Sequence, residues 1–131
     1  MSRFCLDTSA YSRFKRGDAG AVEALRRASW VGVPVVVLGE LRTGFVLGAH
    51  PERNEAELGR FLASPVVEVL DVDEEAARIY AEIVVAQRRV GKPVPTNDLW
   101  IAALAARAGA PVLTYDGHFA AIARIAARVL G

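Results

Sequence analysis

Arg3-Phe4-Cys5-Leu6-Asp7-Thr8-Ser9 is an apolar run that stops abruptly at an acid and two hydroxyls. It reads as a first strand over residues 3–6 that opens into a short helix over residues 9–16. A carboxylate in that place suits only a helix start or a ligand. Working outward, short apolar runs alternate with helical patterns, the signature of βα units and a parallel sheet. Residues 33–38, β-branched and nearly continuous, are expected to form a second strand buried on both faces. Residues 66–70 form the third, residues 112–114 the fourth and residues 128–130 a short fifth. Helices are expected over 18–28 with Asp18 as cap, 39–48, and 51–62 with Pro51 in its first turn. Three more follow: one from Asp73 to near Gly91, one over 97–108 capped by Thr96 and stopped by Gly109, and one over 119–126. The fold class is α/β, a single three-layer α/β/α domain spanning residues 1–131.

Composition narrows the function. An apolar fraction of 53% supplies a core with some surplus for an interface. Net charge is only +1, so any nucleic-acid contact must come from locally placed basic residues. Fourteen arginines stand against two lysines, a bias that suits bidentate phosphate contacts and equally follows from GC-rich codon usage. The lone Cys5 rules out a disulfide framework and a thiolate metal site. Two histidines, His50 and His118, are too few for a histidine cage. No signal peptide and no membrane span is legible, and a soluble, cytoplasmic protein is expected.

Most of the fifteen acids have plain explanations, as helix caps or polar helix faces. Four differ by position. Asp7 follows strand one, Glu40 lies two residues beyond the expected strand two, and Asp116 lies two residues beyond strand four. All three therefore face the carboxyl edge of a parallel sheet, where open α/β folds bind ligands. Asp98 opens the helix that feeds strand four, and such a helix runs antiparallel to its strand, so its start reaches the same edge. Singly, Glu40 and Asp98 are equally well explained as helix-start acids and Asp116 as a turn residue. Together, acids so crowded repel unless a cation neutralises them. An all-oxygen set selects Mg²⁺ or Mn²⁺, and such a site serves phosphodiester hydrolysis.

At these residues the sequence resembles the PIN-domain nucleases, and within them the VapC-type toxins of toxin–antitoxin pairs. Leu6-Asp7-Thr8-Ser9-Ala10-Tyr11 is similar to the family's first acidic motif, and residues 37–44, around Glu40, to its second. Pro95-Thr96-Asn97-Asp98-Leu99-Trp100-Ile101-Ala102-Ala103 is similar to the third, and Thr114-Tyr115-Asp116-Gly117-His118-Phe119 to the fourth. The resemblance implies a five-stranded parallel sheet of order 3-2-1-4-5 and Mg²⁺ or Mn²⁺ at the acids. It also implies endonucleolytic cleavage of RNA, a homodimer, and inhibition by a cognate VapB-type antitoxin. Asp7 and Asp98 rank first as metal ligands and Glu40 next, with Asp116 acting directly or through water.

Neighbouring residues complete the expectations. Thr8 and Ser9 carry hydroxyls suited either to a ligand at the pocket or to local hydrogen bonding, and Thr114 one suited to a ligand or a neighbouring acid. Asn97 either orients Asp98 or caps its helix. Arg13, Lys15, Arg16 and Arg42 are placed to line an RNA path, or are simply solvated. Trp100 is expected in the core and His118 in a surface turn. Phe45, Val46, Leu47, Leu58, Phe61 and Leu62 exceed what the sheet needs, and their surplus is expected to groove an antitoxin segment. Rival assignments fare worse. Haloacid dehalogenase-like enzymes need an acid where Ser9 stands, and receiver domains need a lysine after the last strand, yet Lys92 is the last lysine. The alternative from another class is a non-catalytic α/β interaction module with a vestigial acidic pocket.

Overall fold

The inner half of the opening run, Phe4–Leu6, is buried as its apolar side chains require, and it forms the central strand of the sheet. The structure, a computed structural model, describes residues 2–131. Strand β1 (Ser2–Leu6) passes directly into α1 (Thr8–Lys15), followed by α2 (Ala19–Arg27), β2 (Ala28–Pro34), α3 (Val35–Leu47) and α4 (Pro51–Leu62). Then come β3 (Val67–Leu70), α5 (Glu74–Arg89), α6 (Thr96–Ala108), β4 (Val112–Thr114), a 3₁₀ turn (Gly117–Ala121) and β5 (Ala127–Val129). All five strands pair in parallel in the order β3-β2-β1-β4-β5, as expected.

Right-handed crossovers distribute the helices. The connections β1→β2→β3 step one way along the sheet, which puts α1 to α4 on one face. The connection β3→β4 returns past β1, which puts α5 and α6 on the other. The core runs between these layers through Leu6, Val31, Val33, Leu58, Ile83, Ile101, Leu104 and Leu113. No helix among the described residues is long and apolar enough to cross a membrane.

Several boundaries depart from expectation. The second strand is Ala28–Pro34, not 33–38; Pro34, which has no N–H to extend a ladder, ends it and starts α3. The apolar run continues as helix because its buried residues, Val37, Leu38 and Leu41, follow helical spacing while Val35 is exposed. The helix expected over 119–126 is only the 3₁₀ turn Gly117–Ala121. Asp18 occupies an N-cap position but turns its carboxylate to Arg13, and Pro95, not Thr96, is the N-cap of α6. Asp73 caps α5 through the Ala76 amide, and Gly109 closes α6 in the left-handed conformation, both as expected. Trp100 is only partly buried and stacks on Tyr80 at 3.8 Å.

Candidate active site

Asp7 is the fixed point of the site. Its backbone leaves β1 extended, and its Oδ1 accepts from the Ala10 amide at 2.8 Å, capping α1. The Ser9 hydroxyl donates to the same carboxylate at 2.8 Å, and the Thr114 hydroxyl, at the end of β4, donates to Oδ2. These donors let a carboxylate only 4% exposed survive in the interior. Burial nonetheless pushes its pKa up, against the lowering by Thr114, Ala10 and Ser9, and Asp116 adds to the rise.

The same hydroxyls reach further. Ser9 Oγ accepts from the Tyr115 amide at 2.9 Å, and Thr114 Oγ1 accepts from the Asp116 amide at 2.8 Å. The segment carrying Asp116 is thereby tied to Asp7. Both hydroxyls bond Asp7 and the segment that carries Asp116.

Glu40 arrives by a different route from the one expected. It lies in the second turn of α3, six residues past the end of β2 at Pro34. It is turned into the pocket all the same, since Thr8 Oγ1 donates to its Oε1 at 2.6 Å. Asn97 Nδ2 donates to Oε2 at 3.4 Å. Asn97 therefore neither caps α6 nor orients Asp98; it holds Glu40 beside the first turn of α6.

Asp98 sits in that first turn, part-buried and next to the other acids. Its pKa is raised to about 6, first by burial and then by the negative charges of Asp116, Glu40 and Asp7 in that order, with His118 opposing. Asp116, Glu40 and Asp7 are thus each within electrostatic reach of Asp98 at the carboxyl edge of β1 and β4. Asp116 Oδ1 accepts from the His118 amide at 2.9 Å and lies 3.1 Å from His118 Nδ1. That nitrogen is 3.6 Å from Asp98. Asp98, Asp116 and His118 each bring one ligating atom within 4.8 Å of the others. His118 is exposed, as a turn residue should be, but it belongs to the acid cluster, which only its spacing from Asp116 hinted at.

The basic residues divide. Arg13 pairs with Asp18 at 3.0 Å and lies over the Tyr115 ring. Arg42 makes a two-pronged pair with Glu55. Lys15 pairs with Glu57 at 3.1 Å. Arg16 has no ion-pair partner among the described residues.

Comparison with known proteins follows the geometry. The PIN domain family matches residues 4–125. The ribonuclease VapC5 of Mycobacterium tuberculosis is 39% identical over 92 residues, 70% of this chain and 68% of that protein. Among solved structures, the DNA-bound VapBC complex of Salmonella typhimurium superposes with a TM-score of 0.86 at 30% identity, covering 98% of both chains. VapBC-5 of M. tuberculosis gives 0.75 at 32% identity over 99% of this chain and all of that one. The match over residues 4–125 takes in all four acids, and with relatives this similar the chain belongs to the PIN domain family, on its VapC side.

Proposed function

We propose that this protein is a divalent-metal-dependent endoribonuclease, the toxin of a toxin–antitoxin pair, with Asp7, Glu40, Asp98 and Asp116 as its working carboxylates. The observation that carries this assignment is the convergence of the acids at one sheet edge: Asp98 and Asp116 bring ligating atoms within 4.8 Å of each other, Asn97 beside Asp98 holds Glu40, and Thr114 ties Asp7 to the Asp116 segment. Four carboxylates that disfavour one another's charge form a site whose natural occupant is a cation. The relatives named as ribonucleases support RNA as the substrate.

The donor set fits Mg²⁺ or Mn²⁺: hard carboxylate oxygens, on a rigid sheet edge, with one imidazole beside them. Asp98, Asp116, Glu40 and Asp7 would hold the ion. When bound, it would offset phosphodiester charge and make a water more acidic. The remaining work falls to the chain itself. Thr114 and Ser9 favour the ionised form of Asp7 against its burial and aim it, and Thr8 and Asn97 keep Glu40 turned toward the pocket. His118, beside Asp116 and Asp98, is placed to hold or pass a proton at Nδ1.

The partner is a VapB-type antitoxin, as in the related VapBC complexes. Of the apolar surplus, Leu58 is buried and Phe45, Phe61 and Leu62 pack on the core, while Val46 and Leu47 stay about four-fifths exposed at the end of α3. These two side chains support a docking place for the antitoxin. A homodimer in the cytoplasm completes the proposal.

The decisive experiment incubates purified protein with total RNA, with Mg²⁺, with Mn²⁺ and with chelator, beside Asp7→Asn and Asp98→Asn. Cleavage is expected only for the unmutated chain with metal. Cleavage that persists in chelator or in both variants would refute the carboxylate–metal mechanism. A chain that cuts nothing under any condition would point instead to a non-catalytic interaction module.

A further inference from the structure

We propose that the cleft between α1 and α4 is a second phosphate-binding site for the RNA strand, formed by Lys15, Arg16 and Arg53. This rests on the ribonuclease assignment and specifies where the strand runs beyond the acids. The cleft has a volume of about 390 Å³, and Ser12 and Asn54 line it beside the three cations. Its apolar floor includes Leu41 and Phe45 of α3.

Helix α1 links this cleft to the acid pocket. It is capped by Asp7, and its first residue, Thr8, is bonded to Glu40. Ser12 lies four residues beyond Thr8, and Lys15 and the C-cap Arg16 lie three and four beyond Ser12, so the two cations flank the end of one stripe along the helix. Helix α3 runs the same course, with Glu40 at the acids and Leu41 and Phe45 under the cleft. Lys15 lies about 10 Å along the axis from Thr8. A strand whose scissile phosphate sits at the acids therefore meets the cleft by following a single helix.

Charge identifies the occupant. Three cations face one anion, Glu57, which pairs with Lys15 at 3.1 Å and Arg53 at 3.8 Å. Arg16 is left without a carboxylate partner among the described residues. Arg13, Arg42, Arg107 and Arg124 each have an acid of their own, while Arg60, Arg88 and Arg89, like Arg16, make no ion pair among the described residues; what sets this cleft apart is three cations around one concavity beside Ser12 and Asn54. In a chain of net charge +1, the cleft is a local excess of positive charge. A solvated ion-pair cluster would need neither the concavity nor the neutral donors Ser12 and Asn54. A groove that tracks a nucleic-acid backbone uses both. Continuity with the acids favours RNA over an acidic peptide.

The test uses the full chain carrying Asp98→Asn, so that RNA is bound without being cut, in Mg²⁺. Binding of a fluorescent, mixed-sequence single-stranded RNA is followed by anisotropy over a salt series. Adding Arg16→Gln and Arg53→Gln is expected to weaken binding about tenfold and to flatten the salt dependence by about one ion per lost contact. Arg89→Gln, on the opposite face of the sheet, removes one charge and is expected to change neither. Both arginines are exposed, so unchanged melting temperatures will verify folding. Affinity and salt slope equal to the parent's would overturn the proposal. So would loss of antitoxin binding with RNA binding intact, which would make the cleft a protein contact. If the unmutated chain cuts RNA while the double variant binds as its parent does, only this subsite falls. If the unmutated chain cuts no RNA and the Asp98→Asn parent binds none, the ribonuclease assignment falls with it.

Discussion

Thr114, at the end of β4, donates its hydroxyl hydrogen to Asp7, at the end of β1, and accepts from the Asp116 amide with the same oxygen. One buried hydroxyl thus holds two of the four acids in register across the sheet. Replacing it by a methyl group keeps the volume, strands the Asp116 amide and leaves the Asp7 carboxylate with Ser9 and Ala10 alone. Thr114→Val is expected to cost about 1–3 kcal/mol, the usual penalty for leaving a buried polar group unpaired. Urea denaturation measures this, and Thr114→Ser should recover most of the loss. A valine variant as stable as the parent would show that neither bond matters to folding.

Asp98 carries a penalty of the opposite sense. Its folded pKa, about 6, lies above the ordinary 3.8, so the folded state holds a proton that the unfolded chain has released. The stability this group contributes is fully present below the ordinary value and is lost as pH rises through about 6. At pH 7.5 in chelator, Asp98→Asn should therefore be the more stable protein. Solvent contact mutes the effect to about 1 kcal/mol, or about 3–5 °C in Tm. The difference should narrow at pH 5. Equal melting temperatures at pH 7.5 would mean that the acids do not burden the fold.

Much of this site was legible because it is built on topology. Asp7 and Asp116 follow strands, Asp98 opens a helix, and those relations survive errors of a residue or two. The second strand differs from the expected 33–38 because Val33 to Leu38 is apolar enough for a buried strand or a buried helix, and Pro34 sets the break between them. Glu40 still reaches the pocket, since the helix that replaced the strand starts earlier and points the same way. The role of Asn97 is not legible in the sequence because its partner, Glu40, is distant along the chain. The Lys15–Glu57 and Arg42–Glu55 pairs were hidden for the same reason. Local rules of capping find neighbours, and these contacts join α1 and α3 to α4.

The Thr8–Glu40 bond, at 2.6 Å, supports the acid that lies in the second turn of α3, six residues past its strand. Thr8→Val removes the donor without changing the shape. Positioning bonds of this kind are worth about 10–100-fold in metal affinity or activity. RNA cleavage is expected to fall within that range while Tm stays near the parent's. Thr8→Ser should restore activity, which a merely structural role for the methyl group would not predict. Full activity in the valine variant would leave Asn97 as the sufficient support for Glu40.

Gly32 tests the packing beneath the site. A Cβ there would approach the Trp30 ring to 2.4 Å and Leu70 to 2.8 Å. Gly32→Ala should cost about 1–3 kcal/mol by overpacking, and Trp30→Leu should relieve part of it in the double variant. Additive losses in a double-mutant cycle would mean that the two side chains do not compete for the same space.

Metal binding should report the coupling of the acids directly. A cation needs Asp98 ionised, and without metal that group releases its proton near pH 6. Between pH 7 and pH 5 the ionised fraction falls about tenfold, and apparent affinity for Mn²⁺ should fall at least that far. Electron paramagnetic resonance of free Mn²⁺ measures it with no RNA present. Asp98→Asn should bind more weakly at pH 7 and lose the part of the pH dependence that Asp98 supplies, because no carboxyl remains at that position to compete for the proton. If affinity is instead flat from pH 7 to pH 5 in the unmutated chain, Asp98 is not among the ligands, and the ion must be held by the remaining acids alone.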